Sequence, residues 1–393
     1  MALARAGRPL DSACNRAYNR VRLACISQCE RRKGLPVELV PLLRKLSEAT
    51  GVSGYEHPIR DLVAEEFGRY ATSIRSDTLG NLIALVPGSG PEPRPSIMLA
   101  GHMDEIGLIV SHIEEGFLHV PGMHSYDERV LPGQEVIVHG WRELHGVIGA
   151  RPPHVLAPGE SEKPYPTDKL LVDTGLPPDE VSQLVRVGDL ITMNAPLVEL
   201  KGGLVAGKAL DDRAAVAAVA VCLEELSRSQ HEWDVYAVAT VQEEEGCKGA
   251  LTSAFGLAPD IGIAIDVTWA HQPGAPDEYT YPLGEGPTIS CGPNFHPGLV
   301  KALRDTADSL EMDVHLEPAA RPGGTDAWAI QIAREGIPAG LLSIPQRNMH
   351  TPVEVCSVKD IERVGRLLAA FIRALDGKSL DKLTFDLGLD ETE

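Results

Sequence analysis

The stretch Val235-Tyr236-Ala237-Val238-Ala239-Thr240-Val241-Gln242-Glu243-Glu244-Glu245-Gly246 sets three carboxylates at the end of an apolar run. A segment this short and apolar predicts a strand buried on both faces, as in an α/β sheet. Unpaired charge at the end of such a strand is strongly disfavoured. A cation is therefore expected beside it, and a bound metal is the leading candidate. The other ligands must then come from elsewhere in the chain.

Around this strand, helical and extended patterns alternate. Residues 37–50 and 57–70 read as helices, the second with Ile59, Leu62, Val63 and Phe67 on one face and Pro58 in its first turn. A hairpin is predicted over 72–86 about Leu79-Gly80-Asn81, then a strand Ile97–Ala100 that stops at Gly101-His102-Met103-Asp104. Beyond residue 211 the pattern predicts helices over 212–227, 297–310, 326–334 and 358–375. Strands are predicted over 261–265, near Val314 and over 339–344. Such alternation implies a mostly parallel mixed sheet with helices on both faces, a three-layer α/β/α architecture.

Residues 106–204 differ in texture. Short β-type segments alternate with Gly and Pro turns, and one short helix is suggested at 178–184. This reads as a small β-barrel-like or sandwich domain inserted into the first. The expected organisation is a basic extension over 1–35, a catalytic domain over 36–105 and 205–378, the β-rich insert over 106–204, and an acidic tail over 379–393.

The 393 residues carry a formal charge of −20 at pH 7, which opposes binding to nucleic acid or an anionic membrane. No apolar segment is long enough to span a bilayer. The first 35 residues hold eight basic and two acidic side chains, so the remainder stands at −26 once that +6 is set aside. An Arg-rich, acid-poor leader fits a transit peptide, but composition favours a disordered extension or a misassigned start. Seven cysteines, three of them in the leader and the rest scattered, suggest neither a disulfide framework nor a zinc–thiolate site. A reducing, cytoplasmic setting fits them.

Four segments share one geometry. His102 and Asp104, Glu243 and Glu244, Asp266, and His350 all follow predicted strands, and ligands in open α/β sheets bind beyond the strands' carboxyl ends. Asp211-Asp212-Arg213 opens a helix, where an Asp alone would read as a cap. Taken together these are two imidazoles and several carboxylates without a thiolate, a ligand set for Zn, Co or Mn. A bridging carboxylate can hold two such ions about 3.5–4 Å apart, with a free carboxylate left as general base.

The chain resembles the tetrahedral-assembly metallo-aminopeptidases, a family that includes glutamyl aminopeptidases and proteins labelled endoglucanase M. The resemblance covers roughly residues 38–375. It rests on Ala100-Gly101-His102-Met103-Asp104-Glu105-Ile106-Gly107, Gly207-Lys208-Ala209-Leu210-Asp211-Asp212-Arg213, Val241-Gln242-Glu243-Glu244, Ala264-Ile265-Asp266-Val267-Thr268, Gly323-Gly324-Thr325-Asp326-Ala327 and Met349-His350-Thr351-Pro352. It implies a zinc-exopeptidase-like fold and an aminopeptidase acting on short peptides with two divalent ions. By the resemblance His102 and Asp266 hold one ion, Glu244 and His350 the other, and Asp211 bridges them. Glu243 is then the general base, and Asp104 orients His102. Thr325 and Asp326 start a helix facing the cleft, as substrate-binding residues or as a cap. The resemblance also implies a homo-oligomer, a dodecamer built from dimers that pair through the insert.

Two positions depart from the family pattern. Glu245 stands where an apolar residue is usual, and Asn348 where an aromatic commonly precedes the Met-His pair. Both bear on substrate preference rather than on the ligands. Rival readings are a related dinuclear carboxypeptidase or deacylase, and a metal-free scaffold of the same fold. Glycoside hydrolysis also uses paired carboxylates, but 5% aromatic content offers few sugar-stacking platforms and leaves the imidazoles unexplained.

Overall fold

The structure is a computed structural model that describes residues 36–120, 126–155, 159 and 169–383. The basic leader and residues 384–393 of the acidic tail lie outside the described residues.

The apolar run before the three glutamates forms the strand Asp234–Thr240, which runs parallel to Ser96–His102, itself parallel to Ile261–Trp269. Ile261–Trp269 is also parallel to Ala339–Arg347, and these four form the centre of an eleven-stranded mixed sheet. Antiparallel strands flank the centre. On one side is the hairpin Ser73–Ser76 and Leu82–Val86. On the other are Glu354–Ser357, Leu204–Gly207 and Val198–Leu200. In the hairpin turn, Asp77 Oδ1 accepts from the N–H groups of Leu79, Gly80 and Asn81, each at 3.0 Å. Gly80 there has φ +115°.

Alternation along the central strands divides the core into two layers. Ile97 and Leu99 face the helices Leu39–Glu48, His57–Phe67, Leu210–Ser227, Pro297–Ser309 and Val358–Ala374. Met98 and Ala100 face Lys248–Leu257 and Asp326–Gln331. The architecture is therefore α/β/α. Residues 214–223 of the helix Leu210–Ser227 are apolar around the whole circumference, which suits a helix enclosed between the sheet and Val358–Ala374. A Cβ at Gly365 would lie 2.5 Å from Ala218 O and 2.6 Å from Val221 Cβ, so only glycine permits this approach of the two helices. Gly365→Ala is expected to destabilise the protein by about 1–3 kcal/mol through overpacking. A lower denaturant midpoint at unchanged slope would show it.

A second, seven-stranded antiparallel sheet is built from strands between Leu108 and Met193, around its own core of Leu118, Val136, Ile148, Val172 and Ile191 among others. The strands Val198–Leu200 and Leu204–Gly207 belong to the large sheet instead. Glu105, just after the strand Ser96–His102, and Lys208, just after Leu204–Gly207, meet at 2.7 Å.

Several elements lie beyond the sequence expectations. The helix Lys248–Leu257 and the strands Thr288–Cys291 and Glu354–Ser357 were not anticipated. The strand predicted to stop at Asp266 continues to Trp269, because Ala339–Arg347 pairs with it along that length. The helix beginning at Asp326 stops at Gln331 rather than 334.

Candidate metal centre

Register explains how residues distant in sequence meet. Thr240 lies opposite His102 on one side, and Ala264 opposite Ala100 on the other. Two residues further along each strand, His102 and Asp266 stand level on adjacent strands and on the same face, since side chains repeat with period two. Glu243 and Glu244 follow three and four residues after Thr240. Asp211 arrives from the start of the enclosed helix, whose backbone is non-helical at Asp211 and Asp212.

Nε2 of His102 lies 3.1 Å from Asp211 Oδ1 and 3.8 Å from Glu243 Oε2. Nε2 of His350 lies 3.4 Å from Asp211 Oδ2 and 3.3 Å from Glu244 Oε1. Each oxygen of Asp211 thus faces a different imidazole. Asp212 is occupied otherwise: its Oδ2 accepts from the His102 N–H and its Oδ1 from the Ala215 N–H, both at 3.3 Å. Asp211 therefore faces the imidazoles with both oxygens, whereas both oxygens of Asp212 accept from backbone N–H groups. Potential donor atoms of His102, Asp211 and Glu244 lie within 4.8 Å of one another, as do those of His102, Asp212 and Asp266.

The surroundings hold this set in place. Asp104 Oδ1 lies 3.4 Å from His102 Nδ1 and accepts from the Glu243 N–H at 3.0 Å. Its Oδ2 accepts from Ser53 Oγ at 2.5 Å and from the Glu244 N–H at 3.3 Å. One buried carboxylate therefore lies against an imidazole and anchors the turn carrying both glutamates. Asp326 is buried, accepts from Thr240 Oγ1 at 2.5 Å, and lies beside Glu243 and Cys247 rather than open to a cleft. Thr325 precedes its helix without a side-chain capping bond.

Glu354 is a residue that sequence reasoning missed. Its Oε2 accepts from the Asp211 N–H and its Oε1 from the His350 N–H, both at 3.0 Å. It thereby ties together the two backbones that carry facing groups. The signal was present four residues after His350: an acid inside the short strand Glu354–Ser357 is as anomalous as the three glutamates after Thr240. Glu354→Ala is expected to weaken metal affinity and activity by about 10–100-fold, the usual cost of removing a group that orients ligands. Metal titration alongside peptide hydrolysis measures both.

Of the two departures from the family pattern, Glu245 is exposed on the turn before Gly246. Asn348 has φ +55°, a region asparagine enters more readily than most residues, and its Nδ2 donates to Val353 O at 3.1 Å. It closes the loop that presents His350.

Electrostatics reveal what the cluster lacks. Burial holds Glu243, Asp266 and Asp212 well above the usual carboxylate range, and neighbouring carboxylates add to the effect. Asp326 is pushed up to about 6, again mainly by burial. Burial disfavours the charged form of His350, but Asp211 and Glu244 outweigh it and push the imidazole up to about 11. Asp211 is held below its ordinary value against its own burial by contact with the two imidazoles. Among the described residues, no Lys or Arg ion pair reaches Asp211, Asp212, Glu243, Glu244 or Asp266. Acids held this far toward their neutral forms are a setting that divalent cations suit, and the nitrogen and oxygen donors match such ions.

A buried, cation-demanding set of acids and imidazoles at the carboxyl ends of a parallel sheet defines the metal-dependent peptide hydrolases with a zinc-exopeptidase-like fold. Comparison with known proteins narrows the class. The family model for M42 glutamyl aminopeptidase matches residues 80–367. A lysyl aminopeptidase of Pyrococcus furiosus is 36% identical over 340 residues, 85% of this chain and 96% of that protein. The crystal structure of a TET aminopeptidase from the marine sediment archaeon Thaumarchaeota archaeon SCGC AB-539-E09 is 32% identical. It covers 88% of this chain and 99% of its own, with a TM-score of 0.83. A Pyrococcus horikoshii TET1 peptidase, described as assembling into a tetrahedron or a large octahedral shell, is 31% identical with a TM-score of 0.76, covering 86% of this chain and all of its own. The chain belongs to the M42 family of metal-dependent aminopeptidases.

Proposed function

We propose that the protein removes N-terminal residues from short peptides at a dinuclear centre. His102 and Asp266 bind one ion, Glu244 and His350 the second, and Asp211 bridges them. The observation that carries this reading is Asp211, whose two oxygens face two different imidazoles. When bound, two divalent ions, Zn or Co and alternatively Mn, polarise the scissile carbonyl and lower the pKa of water. Glu243 accepts the proton from the attacking water and returns it to the departing amine. Its raised affinity for protons suits both halves of that transfer. Asp104 holds His102 in the orientation that leaves Nε2 free for metal, and Glu354 fixes the backbones of Asp211 and His350.

Digestion of a peptide library by metal-reconstituted protein tests the reading. Release of free amino acids from peptides with free N-termini, and none from their N-acetylated forms, is the expected result. Equal cleavage of both forms would point to the carboxypeptidase alternative, and action on the N-acetylated forms alone to the deacylase. Thr325 and Asp326 remain the proposed substrate-side residues, although burial of Asp326 restricts it to contacts made beside Glu243. A cytoplasmic, homo-oligomeric enzyme, a dodecamer assembled from dimers through residues 106–204, completes the proposal and accords with the shells described for the P. horikoshii relative. Sedimentation of metal-replete protein as a monomer would overturn the assembly.

A further inference from the structure

Cys247 takes no part in this arrangement, yet it touches the general base. It follows Glu243 by four residues, just before the helix Lys248–Leu257, and its thiol donates to Glu243 Oε1 at 3.3 Å. Asp326 completes the group: one potential donor atom from each of Glu243, Cys247 and Asp326 lies within 4.8 Å of the other two. All three residues are more than nine-tenths buried. Asp326 Oδ2 accepts from Thr240, but its Oδ1, fully enclosed, has no hydrogen-bond partner. An unsatisfied buried carboxylate oxygen beside a thiol and a second carboxylate is costly unless something cationic can join them.

The chemistry of this group differs from that of the metal pair because it includes sulfur. Soft thiolate ligands favour zinc-like ions over Mg, Ca or Mn. Sulfur and oxygen bound to one zinc at about 2.3 and 2.0 Å stand about 3.5 Å apart at a tetrahedral angle. The observed 3.3 Å between Cys247 Sγ and Glu243 Oε1 is close to that edge. We propose that Cys247, Glu243 and Asp326 form a third, inhibitory site for a thiophilic divalent cation, sharing no ligand with the metal pair. Binding is a ligand exchange: the sulfur–metal bond forms as the thiol proton leaves to solvent, and no electrons are transferred. With its carboxylate engaged, Glu243 cannot accept the proton from water, so excess thiophilic metal shuts the enzyme off. That inhibition rests on Glu243 being the base; the binding does not.

The probe is cadmium, added to full-length enzyme already loaded with zinc, in wild type and in Cys247→Ser and Cys247→Leu. Bound cadmium and zinc, the ultraviolet thiolate-to-cadmium charge-transfer band and peptide hydrolysis are measured together, with circular dichroism to verify folding. Comparison with the variants cancels cadmium taken up by the other cysteines. Wild type is expected to bind one cadmium more per chain than either variant, with a larger band and zinc retained. At that concentration its rate falls at least about tenfold, as expected for loss of an acid–base group. Each variant, measured against its own cadmium-free rate, keeps most of its activity. Equal uptake and equal bands in all three proteins would overturn the site. The extra cadmium without loss of rate would overturn the inhibition and, with it, the assignment of Glu243 as base. If the protein proves not to be a peptidase, the uptake and the band still decide whether the site exists.

Discussion

Glu243→Gln is expected to lower kcat by about 10²–10⁴-fold, the span attributed to a general acid–base group, with KM and bound metal near wild type. The substitution is isosteric, and none of the five proposed ligands is altered. The amide oxygen can still accept from the Cys247 thiol, so the turn after Thr240 keeps its shape. What is lost is the capacity to take a proton. A variant that retained more than a tenth of the wild-type rate would move the base elsewhere. Asp326, buried beside Glu243 and raised to about 6, would be the next group to replace.

Removal of metal by a chelator should abolish peptide hydrolysis and lower the melting temperature, with zinc or cobalt restoring both. Ions at a hundred times their dissociation constant add about 2.7 kcal/mol of stability. The sign of the pH dependence follows from the carboxyls. Glu243, Asp212 and Asp266 bind protons more tightly in the folded, metal-free protein than when unfolded. Their contribution to stability is thus complete below the unfolded carboxylate value of about 4 and is lost as pH rises through their raised values. A bound cation takes the place of the proton on Asp266 and, through its charge, releases those on Glu243 and Asp212. The stability gap between metal-loaded and metal-free protein should therefore widen from acid toward neutral pH, as calorimetry at several pH values can measure. A gap that narrowed over that range would mean that the cations bind away from these carboxyls.

Much of this was legible in the sequence because the decisive features are local conflicts. Acids at the end of an apolar strand, a His two residues before an Asp after another, and paired Asp at a helix start each violate a simple pattern. Violations of this kind mark places where something outside the chain is needed. The parallel centre of the sheet followed from alternation of strands and helices. The hairpin over 72–86 followed from its turn, but the antiparallel strands on the opposite side did not, since Glu354–Ser357 and Leu204–Gly207 are four residues each and draw their stability from partners distant in sequence. Glu354 went unread for the same reason: its role depends on two backbone N–H groups that only the folded chain brings to one carboxylate. Cys247 looked like an isolated thiol until the helix beginning at Asp326 was placed against it.

The contact between Glu105 and Lys208 has a consequence for the history of the molecule. The two side chains stand just after Ser96–His102 and just after Leu204–Gly207, so the chain between them, the β-rich unit and the edge strands Val198–Leu200 and Leu204–Gly207, closes on itself. The β-rich part of a segment tethered in this way, which lies before Val198, can lengthen, shrink or be exchanged for another with little effect on the large sheet, because loop-closure cost grows only slowly with length. The β-rich unit can accordingly vary in its surface at the pace demanded by whatever it adheres to, while the strands that carry the proposed metal ligands stay fixed. Descendants of one peptidase could then build shells of different geometry around the same chemistry.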